Sequence, residues 1–106
     1  MAVTKHKLLK QIKSAVKEVE PTAEIWLYGS RARGDAAPDS DWDLLVVVDG
    51  DVDDVRERRV WRRLFDLELE VEEVLSALVV SHADWDGPLR AAMPLYQSVV
   101  REGAPV

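Results

Sequence analysis

The chain has 106 residues, a formal net charge of -6 at pH 7 and no cysteine. This length suits one domain spanning residues 1–106, and the absence of cysteine excludes disulfides, thiolate zinc sites and a cysteine nucleophile. A metal would be held by oxygen ligands or by histidine, which favours Mg²⁺ over zinc. The acidic balance argues against broad binding of a nucleic-acid backbone. We expect a cytoplasmic protein without a membrane-spanning helix, because no long apolar run and no signal-peptide pattern is found.

The first half of the chain has the pattern of a helix followed by two strands. Residues 5–19 carry apolar side chains at intervals of three and four, which predicts an amphipathic helix. The aromatic and β-branched segment 25–28 predicts a short strand, after which Ser30 is expected to cap a short helix that ends at Arg33. Residues 34–40 have the composition of a loop, and the apolar run 42–48 predicts a strand that is covered on both faces.

The second half begins with a long predicted helix, from about residue 53 to residue 72. Its apolar stripe consists of Val60, Leu64, Leu67 and Val71. Residues 74–80 predict a third strand, and the remainder predicts a loop, a short helix within the apolar stretch 89–100 and a tail. This order of elements predicts an α/β fold of the α+β type, with a small mixed sheet flanked by helices.

The long helix carries a second apolar stripe on the opposite side, formed by Trp61, Phe65 and Leu69. This stripe is either covered by another part of the chain or is a contact surface for a protein. The helix also carries a run of arginines among acidic residues, namely Arg56, Arg58, Arg59, Arg62 and Arg63. That mixture favours a solvated, salt-bridged face over a nucleic-acid site. His6 and His82 lack ligand-like spacing and are expected at the surface.

Two carboxylates, Asp41 and Asp43, stand at the start of the second predicted strand. Residues two apart on a strand point to one face and are separated by roughly 6.6 Å, so both side chains can reach one or two cations. Carboxylate oxygens suit Mg²⁺, and a metal carried on nucleotide phosphates needs only one or two protein carboxylates. The pair therefore indicates a site for Mg²⁺ with ATP or another nucleoside triphosphate. The alternative is a solvated strand end that follows ordinary turn residues.

Ten residues separate this pair from a turn at Gly29 and Ser30. Glycine lets the backbone approach phosphates without a Cβ clash, and the Ser30 hydroxyl and adjoining amides can donate hydrogen bonds to phosphate oxygens. Arg31 and Arg33 add positive charge nearby, so these four residues are the predicted nucleotide-binding residues. A glycine-serine pair alone is more often an ordinary turn, and the interpretation depends on its combination with the two carboxylates.

The segments Gly-Ser-Arg-Ala-Arg-Gly-Asp at 29–35 and Ser-Asp-Trp-Asp-Leu-Leu-Val at 40–46 resemble the signature of minimal nucleotidyltransferases of the DNA polymerase β superfamily. The order of elements is similar over nearly the whole chain. The resemblance implies a polymerase β-like core in which the glycine-serine turn holds the nucleotide and the catalytic Asp41 and Asp43 bind Mg²⁺. It also implies transfer of an NMP group with release of pyrophosphate. Small members of this family are often antitoxins of helical HEPN proteins, which some inactivate by adding AMP.

The resemblance is incomplete at one position. The family usually has a third carboxylate on the strand after the long helix, where it would activate the attacking hydroxyl, and this chain has Ser76 there. Glu70, Glu72 and Glu73 are alternatives for that role, although the apolar stripe predicts that they belong to the end of the helix.

Three functions are therefore open. The first is a Mg²⁺-dependent nucleotidyltransferase that moves an NMP group, with AMP as the first choice, to a hydroxyl, for example on a partner HEPN toxin. The second is an antitoxin that acts by protein contact and has a weakened nucleotide site. The third is a catalytic subunit that another chain completes. A homo-oligomer is compatible with each of them, and the acceptor cannot be read from the sequence.

Overall fold

The structure is a computed structural model that describes residues 4–87 and 94–106. Its helices are α1 (Lys5–Val19), α2 (Ser30–Arg33), α3 (Asp54–Val71), α4 (His82–Asp86) and α5 (Pro94–Glu102). Its strands are β1 (Glu24–Tyr28), β2 (Trp42–Val48), β3 (Leu75–Ser81) and β4 (Ala104–Pro105). None of the helices in these two segments combines the length and the apolar character that crossing a membrane requires.

Capping residues explain where the two long helices begin. The Thr4 side chain accepts a hydrogen bond from the backbone N–H of Lys7, and the Asp53 carboxylate accepts one from the backbone N–H of Arg56 at 2.7 Å. α3 ends where Glu72 adopts a left-handed backbone with φ of 57°. The predicted long helices and the three predicted strands are confirmed to within two residues.

The structure corrects the sequence-based elements at three places. The prediction that Ser30 caps α2 is wrong, because Gly29 is the N-cap and Ser30 is already the first helical residue. The sequence does not predict α4 and β4, which span five and two residues and are too short for a periodic pattern. The last predicted helix overlaps α5, and its residues 89–93 lie outside the described part of the chain.

The four described strands form a mixed sheet in the order β3-β2-β1-β4. β1 is antiparallel to β2 and to β4, whereas β2 and β3 are parallel. The predicted small mixed sheet flanked by helices is therefore confirmed. β2 has a neighbour on each side, and its register places Asp43 opposite Tyr28 of β1 and opposite Ser76 of β3.

The side chains of β2 alternate between two covered faces of the sheet, as its continuous apolar run predicts. One face, here called the α1/α3 face, buries them against α1 and α3, and its β2 members are Trp42, Leu44, Val46 and Val48. On the other face, here called the α5 face, Leu45 and Val47 pack with Val99. Asp43 lies two residues before Leu45 and therefore points to the α5 face, near its edge.

Two ion pairs join α1 to α3. Glu20 is only 6% exposed and accepts hydrogen bonds at 2.7 and 2.8 Å from the guanidinium of Arg56. Glu18 pairs with Arg63. Within the described residues, no ion pair is made by the other three arginines of α3, which are Arg58, Arg59 and Arg62. Arg56 and Arg63 thus form salt bridges, but with glutamates at the end of α1 and not with the acids among which they lie in the sequence.

Candidate functional site

The turn between β1 and α2 is held in a conformation that requires glycine. Gly29 has φ of 77° and ψ of -159°, a combination that residues with a Cβ rarely adopt. A Cβ added at Gly29 would lie 2.5 Å from Oδ2 of Asp43, so the carboxylate occupies the space that a side chain would need. The predicted turn glycine and one predicted metal ligand therefore touch across the β1–β2 pair.

Ser30 follows at the start of α2, next to this contact. Its side chain is half-buried, and within the described residues its hydroxyl makes no hydrogen bond. The Gly29 carbonyl accepts hydrogen bonds from the backbone N–H groups of Ala32 and Arg33, each at 3.1 Å. The hydroxyl of Ser30 therefore remains available to a ligand at the end of β1.

Asp43 and Asp41 interact electrostatically at the start of β2. Asp43 is half-buried, whereas Asp41 immediately precedes the strand and is exposed. Burial raises the pKa of the Asp43 carboxyl above its usual range, and the nearby charge of Asp41 raises this pKa further. Tyr28, directly opposite in the register, has a raised pKa for the same two kinds of reason, first its own burial and then the charge of Asp43.

These groups fit a divalent cation. The two aspartates offer hard oxygen ligands, and neither carboxylate is in an ion pair with any residue that the structure describes. No cluster of three or more acidic or histidine side chains suited to a metal occurs in the described segments. Asp41 and Asp43 are therefore a two-carboxylate set, and a metal carried on nucleotide phosphates usually takes one or two protein carboxylates.

Arg31 contacts the loop that leads to these aspartates. Its guanidinium donates hydrogen bonds to the backbone carbonyls of Ser40, at 2.9 Å, and Pro38, at 3.0 Å. It also lies 4.5 Å from the ring centre of Trp42, whose side chain belongs to the α1/α3 face. Arg31 thereby holds the residues that precede Asp41, and its assignment to nucleotide binding stays a prediction.

Arg33 is turned toward the C-terminal part of the chain. Its guanidinium pairs with Asp35 at 3.1 Å and with Glu102 of α5 at 2.8 Å, and its side chain is 44% exposed. The pair with Asp35 is exposed and contributes little to stability, whereas Glu102 is only 17% exposed. A phosphate could therefore compete for Arg33, whose role in nucleotide binding also stays a prediction.

Ser76 lies beside Asp43 in the parallel register of β2 and β3. It is two residues before Leu78, which packs on the α5 face, so Ser76 points to the same face as Asp43. Ser76 is also exposed and is not packed inside the sheet. Ser76 is thus within reach of the aspartate pair, and its correspondence to the family's third carboxylate stays a prediction.

The three nearby glutamates have other surroundings. Glu73 accepts a hydrogen bond from the indole N–H of Trp42 at 3.3 Å and lies 3.8 Å from Arg31, on the α1/α3 face. Glu72 is the C-cap of α3, and Glu70 is an exposed residue of that helix. Their contacts do not bring them to Asp43, so Ser76 is the residue of β3 that neighbours the site.

The sequence interpretation misses Tyr28 and the Arg31–Trp42–Glu73 cluster. Tyr28 is the last residue of β1 and enters the site because antiparallel pairing sets it opposite Asp43. No local signal in the sequence predicts that register. The cation–π contact of Arg31 with Trp42 depends on a loop that folds back over ten residues, which composition alone does not predict.

Comparisons with known proteins give a family profile that matches the sequence and solved structures with a similar fold. The sequence profile of the nucleotidyltransferase domain family matches residues 9–84. A toxin–antitoxin complex with AMP-PNP has a similar fold, with a TM-score of 0.61 and 20% identity over 96% of this chain and 72% of that chain. A tri-AMPylated Shewanella oneidensis HEPN toxin in complex with an MNT antitoxin gives a TM-score of 0.60 and 19% identity over 96% and 71% of the two chains.

A third similar structure is classed as a minimal nucleotidyltransferase, with a TM-score of 0.61 and 23% identity over 95% of this chain and 94% of that chain. At such identities these likenesses establish the fold. The comparison with curated protein sequences gave no match. The family profile spans more than half of the chain and includes both the glycine turn and the aspartate pair. The chain therefore belongs to the polymerase β-like nucleotidyltransferase domain family.

Proposed function

We propose that this protein is a Mg²⁺-dependent nucleotidyltransferase that moves an NMP group, with AMP from ATP as the first choice, to a hydroxyl of a partner protein. The observation that carries this proposal is the contact between Gly29 and the Asp43 carboxylate, with Asp41 beside it. The similar structures with AMP-PNP and with an AMPylated HEPN toxin support ATP as the nucleotide and a HEPN protein as the partner.

The residues of the site have distinct proposed roles. Asp41 and Asp43 would hold Mg²⁺, which when bound neutralises charge on the phosphates. The missing side chain of Gly29 leaves room for the Asp43 carboxylate at the turn, and the free hydroxyl of Ser30 donates a hydrogen bond to a phosphate oxygen. Arg31 keeps the loop before Asp41 in position through its bonds to the Ser40 and Pro38 carbonyls.

The proposed transfer forms a bond between the acceptor oxygen and the α-phosphorus of the nucleotide. The bond from that phosphorus to the pyrophosphate oxygen breaks, and the proton of the acceptor hydroxyl passes to water. Water takes this role because Ser76, the exposed residue next to Asp43, cannot act as a base at neutral pH. Since a general base typically contributes a factor of about 10²–10⁴, we expect slow turnover.

A second candidate function is an antitoxin that binds nucleotide weakly and neutralises its partner by contact. The observation that favours it is the neutral Ser76 in the position beside Asp43. The two functions differ in whether a nucleotide is transferred, which one experiment can decide.

The experiment uses ATP labelled in either the α- or the γ-phosphate, with Mg²⁺ and the purified product of the gene beside this chain's gene, for which a HEPN protein is the expected identity. Transfer of AMP labels the partner protein when the α-phosphate of ATP carries the label and leaves it unlabelled when the γ-phosphate does. An Asp41→Asn, Asp43→Asn double variant is the control and should transfer nothing. Complex formation without label would favour the contact antitoxin, and neither complex nor label would refute both functions for that partner.

A further inference from the structure

The outer side of α3 carries two neighbouring rows of exposed side chains. The apolar row contains Trp61, Phe65 and Leu69, which are 44%, 56% and 69% exposed. The charged row contains Arg58, Arg62, Asp66 and Glu70, all exposed. Within each row the residues are four apart, and the rows are three apart from each other, so both run side by side along the helix. Such an apolar stripe on an exposed helix face is unusual for a chain that acts alone.

The charged row is divided into a basic half and an acidic half. Its two arginines lie toward the N-terminus of α3 and its two acids toward the C-terminus. This order is opposite to the one that the helix dipole favours, so helix stability does not explain it. None of the four side chains is in an ion pair with another described residue. Asp66 and Glu70 act on Arg63 only through longer-range electrostatics, so none of the four charged groups is held in a close ion pair.

We propose that this face binds a second copy of the chain, with the two α3 helices antiparallel about a twofold axis. In that arrangement the basic half of each helix meets the acidic half of the other. Arg58 then lies opposite Glu70 and Arg62 opposite Asp66, because both pairs are centred on position 64 of the helix. The apolar row is centred on Phe65, one residue away, so the same register also brings the two apolar rows together.

Other features of this face agree with a second copy as its occupant. A parallel arrangement of two copies about a twofold axis would set each charged row against the apolar row of the other copy, and the acidic half of the row would repel a nucleic acid. Trp61 is held in place by a hydrogen bond from its indole N–H to the carbonyl of Ala77, at 3.0 Å, on the outermost strand β3. Ordering of that ring before contact reduces the entropy lost on association.

The dimer should be weak and sensitive to salt. α3 has 18 residues and is therefore about 27 Å long, so a contact confined to it is smaller than the about 800 Å² per partner of a standard interface. Exposed charge pairs are screened at high ionic strength. This interface does not depend on the proposed transfer reaction, because it lies on the outer side of α3 and contains none of the site residues.

Charge reversal tests the interface. One variant carries Arg58→Glu with Arg62→Glu, and the other carries Asp66→Lys with Glu70→Lys. In each variant alone, all four residues of the charged row have the same sign of charge, so two copies repel each other. The dimer dissociation constant should therefore rise at least about tenfold. An equimolar mixture of the two should form a heterodimer, since the charged row is entirely acidic in one variant and entirely basic in the other. Sedimentation velocity over a range of concentrations, at low and high salt, measures these states.

Two controls separate the interface from general charge and apolar effects. Lys10→Glu with Lys13→Glu makes the same change of charge on the exposed side of α1 and should leave the dimer intact. Phe65→Ser should weaken the dimer, whereas Val100→Ser, at a residue of α5 that is 64% exposed, should not. Circular dichroism melting of each variant checks that it is folded.

Three outcomes would overturn the proposal. The first is a wild-type chain that stays monomeric at the highest concentration and lowest salt tested. The second is a dimer that survives both the charge reversals and Phe65→Ser. The third is a mixture of folded charge-reversed variants that remains monomeric, since antiparallel pairing requires that mixture to associate.

Discussion

The two faces of the sheet differ in how they are covered and in what they carry. The α1/α3 face is packed by fully buried residues from both helices, among them Ile12 and Leu64. In the described residues, the α5 face has a smaller buried cluster around Leu45, Val47 and Val99. Asp43 and Ser76 point to that second face near its edge. The residues that stabilise the fold are thus concentrated on one face of β2. The groups proposed for chemistry lie on the other face, at the edge of its smaller buried cluster.

The largest expected effect that separates the faces is the loss of Mg²⁺-dependent nucleotide binding when the aspartates are neutralised. Asp41→Asn combined with Asp43→Asn should abolish this binding, because both proposed metal ligands lose their charge. The fold should be as stable as wild type or more so in the absence of metal, since two like charges have been removed. Titration calorimetry with ATP and Mg²⁺ measures the binding. Unchanged affinity in the double variant would exclude both residues from the site.

Gly29→Ala should be almost as damaging to binding. The added Cβ would meet Oδ2 of Asp43 at 2.5 Å, and the backbone at Gly29 would be strained. Gly34→Ala is a matched control, because Gly34 also has a positive φ, of 84°, but has no atom within 4 Å of its added Cβ. Calorimetry and melting temperature should therefore show a loss of nucleotide binding for Gly29→Ala alone. Equal binding by the two variants would argue against the phosphate turn.

Leu64→Ala should affect stability and leave the site unchanged. Leu64 is 2% exposed on the α1/α3 face, and truncation of such a residue typically lowers the free energy of unfolding by about 2–5 kcal/mol. Phe65→Ala, one residue further along α3 and 56% exposed, should cost much less. Urea denaturation measures both. Folded Leu64→Ala protein that had lost nucleotide affinity would contradict the separation of the two faces.

Ser76→Asp should convert the edge of the α5 face into a three-carboxylate site. Because Ser76 is exposed and adjoins Asp43, we expect only a modest loss of stability without Mg²⁺ and a recovery with it. Any slow transfer activity should rise as well. Ser76→Asn is the neutral control for the added volume. A melting temperature that falls equally with and without Mg²⁺ would refute the placement of Ser76 beside the metal ligands.

The smallest expected effect is a pH dependence that Asp43 adds to stability. Its folded-state pKa is raised, so the folded chain binds this proton more tightly than the unfolded chain, and stability falls as pH rises from about 3.9 through the raised pKa. Asp43→Asn removes this fall. The difference in free energy of unfolding between Asp43→Asn and wild type should therefore increase between about pH 3.9 and the raised pKa of Asp43, and stay constant at higher pH. A gain that is independent of pH, in urea denaturation without metal, would contradict this origin.

Local pattern alone determined much of the fold and part of the site. The three-and-four spacing of α1 and α3, the apolar run of β2 and the alternation around Asp43 depend on neighbours within a few residues. The role of Gly29 also follows from local pattern, because a tight turn directly after a strand favours glycine. These features could be read from the sequence because helix and strand periods repeat within a single segment.

The tertiary structure alone decided which distant segments meet. Local pattern does not predict that β1 and β3 bring Tyr28 and Ser76 to either side of Asp43, since strand register depends on how the helices cover the whole sheet; only the family resemblance pointed to Ser76. Charged side chains are equally hard to assign, because their partners lie far away in the chain. Arg31 folds back on the loop before Asp41, and Glu73 turns to Trp42 instead of to the aspartates. Partner choice for such groups follows from burial and geometry, which exist only once the chain has folded.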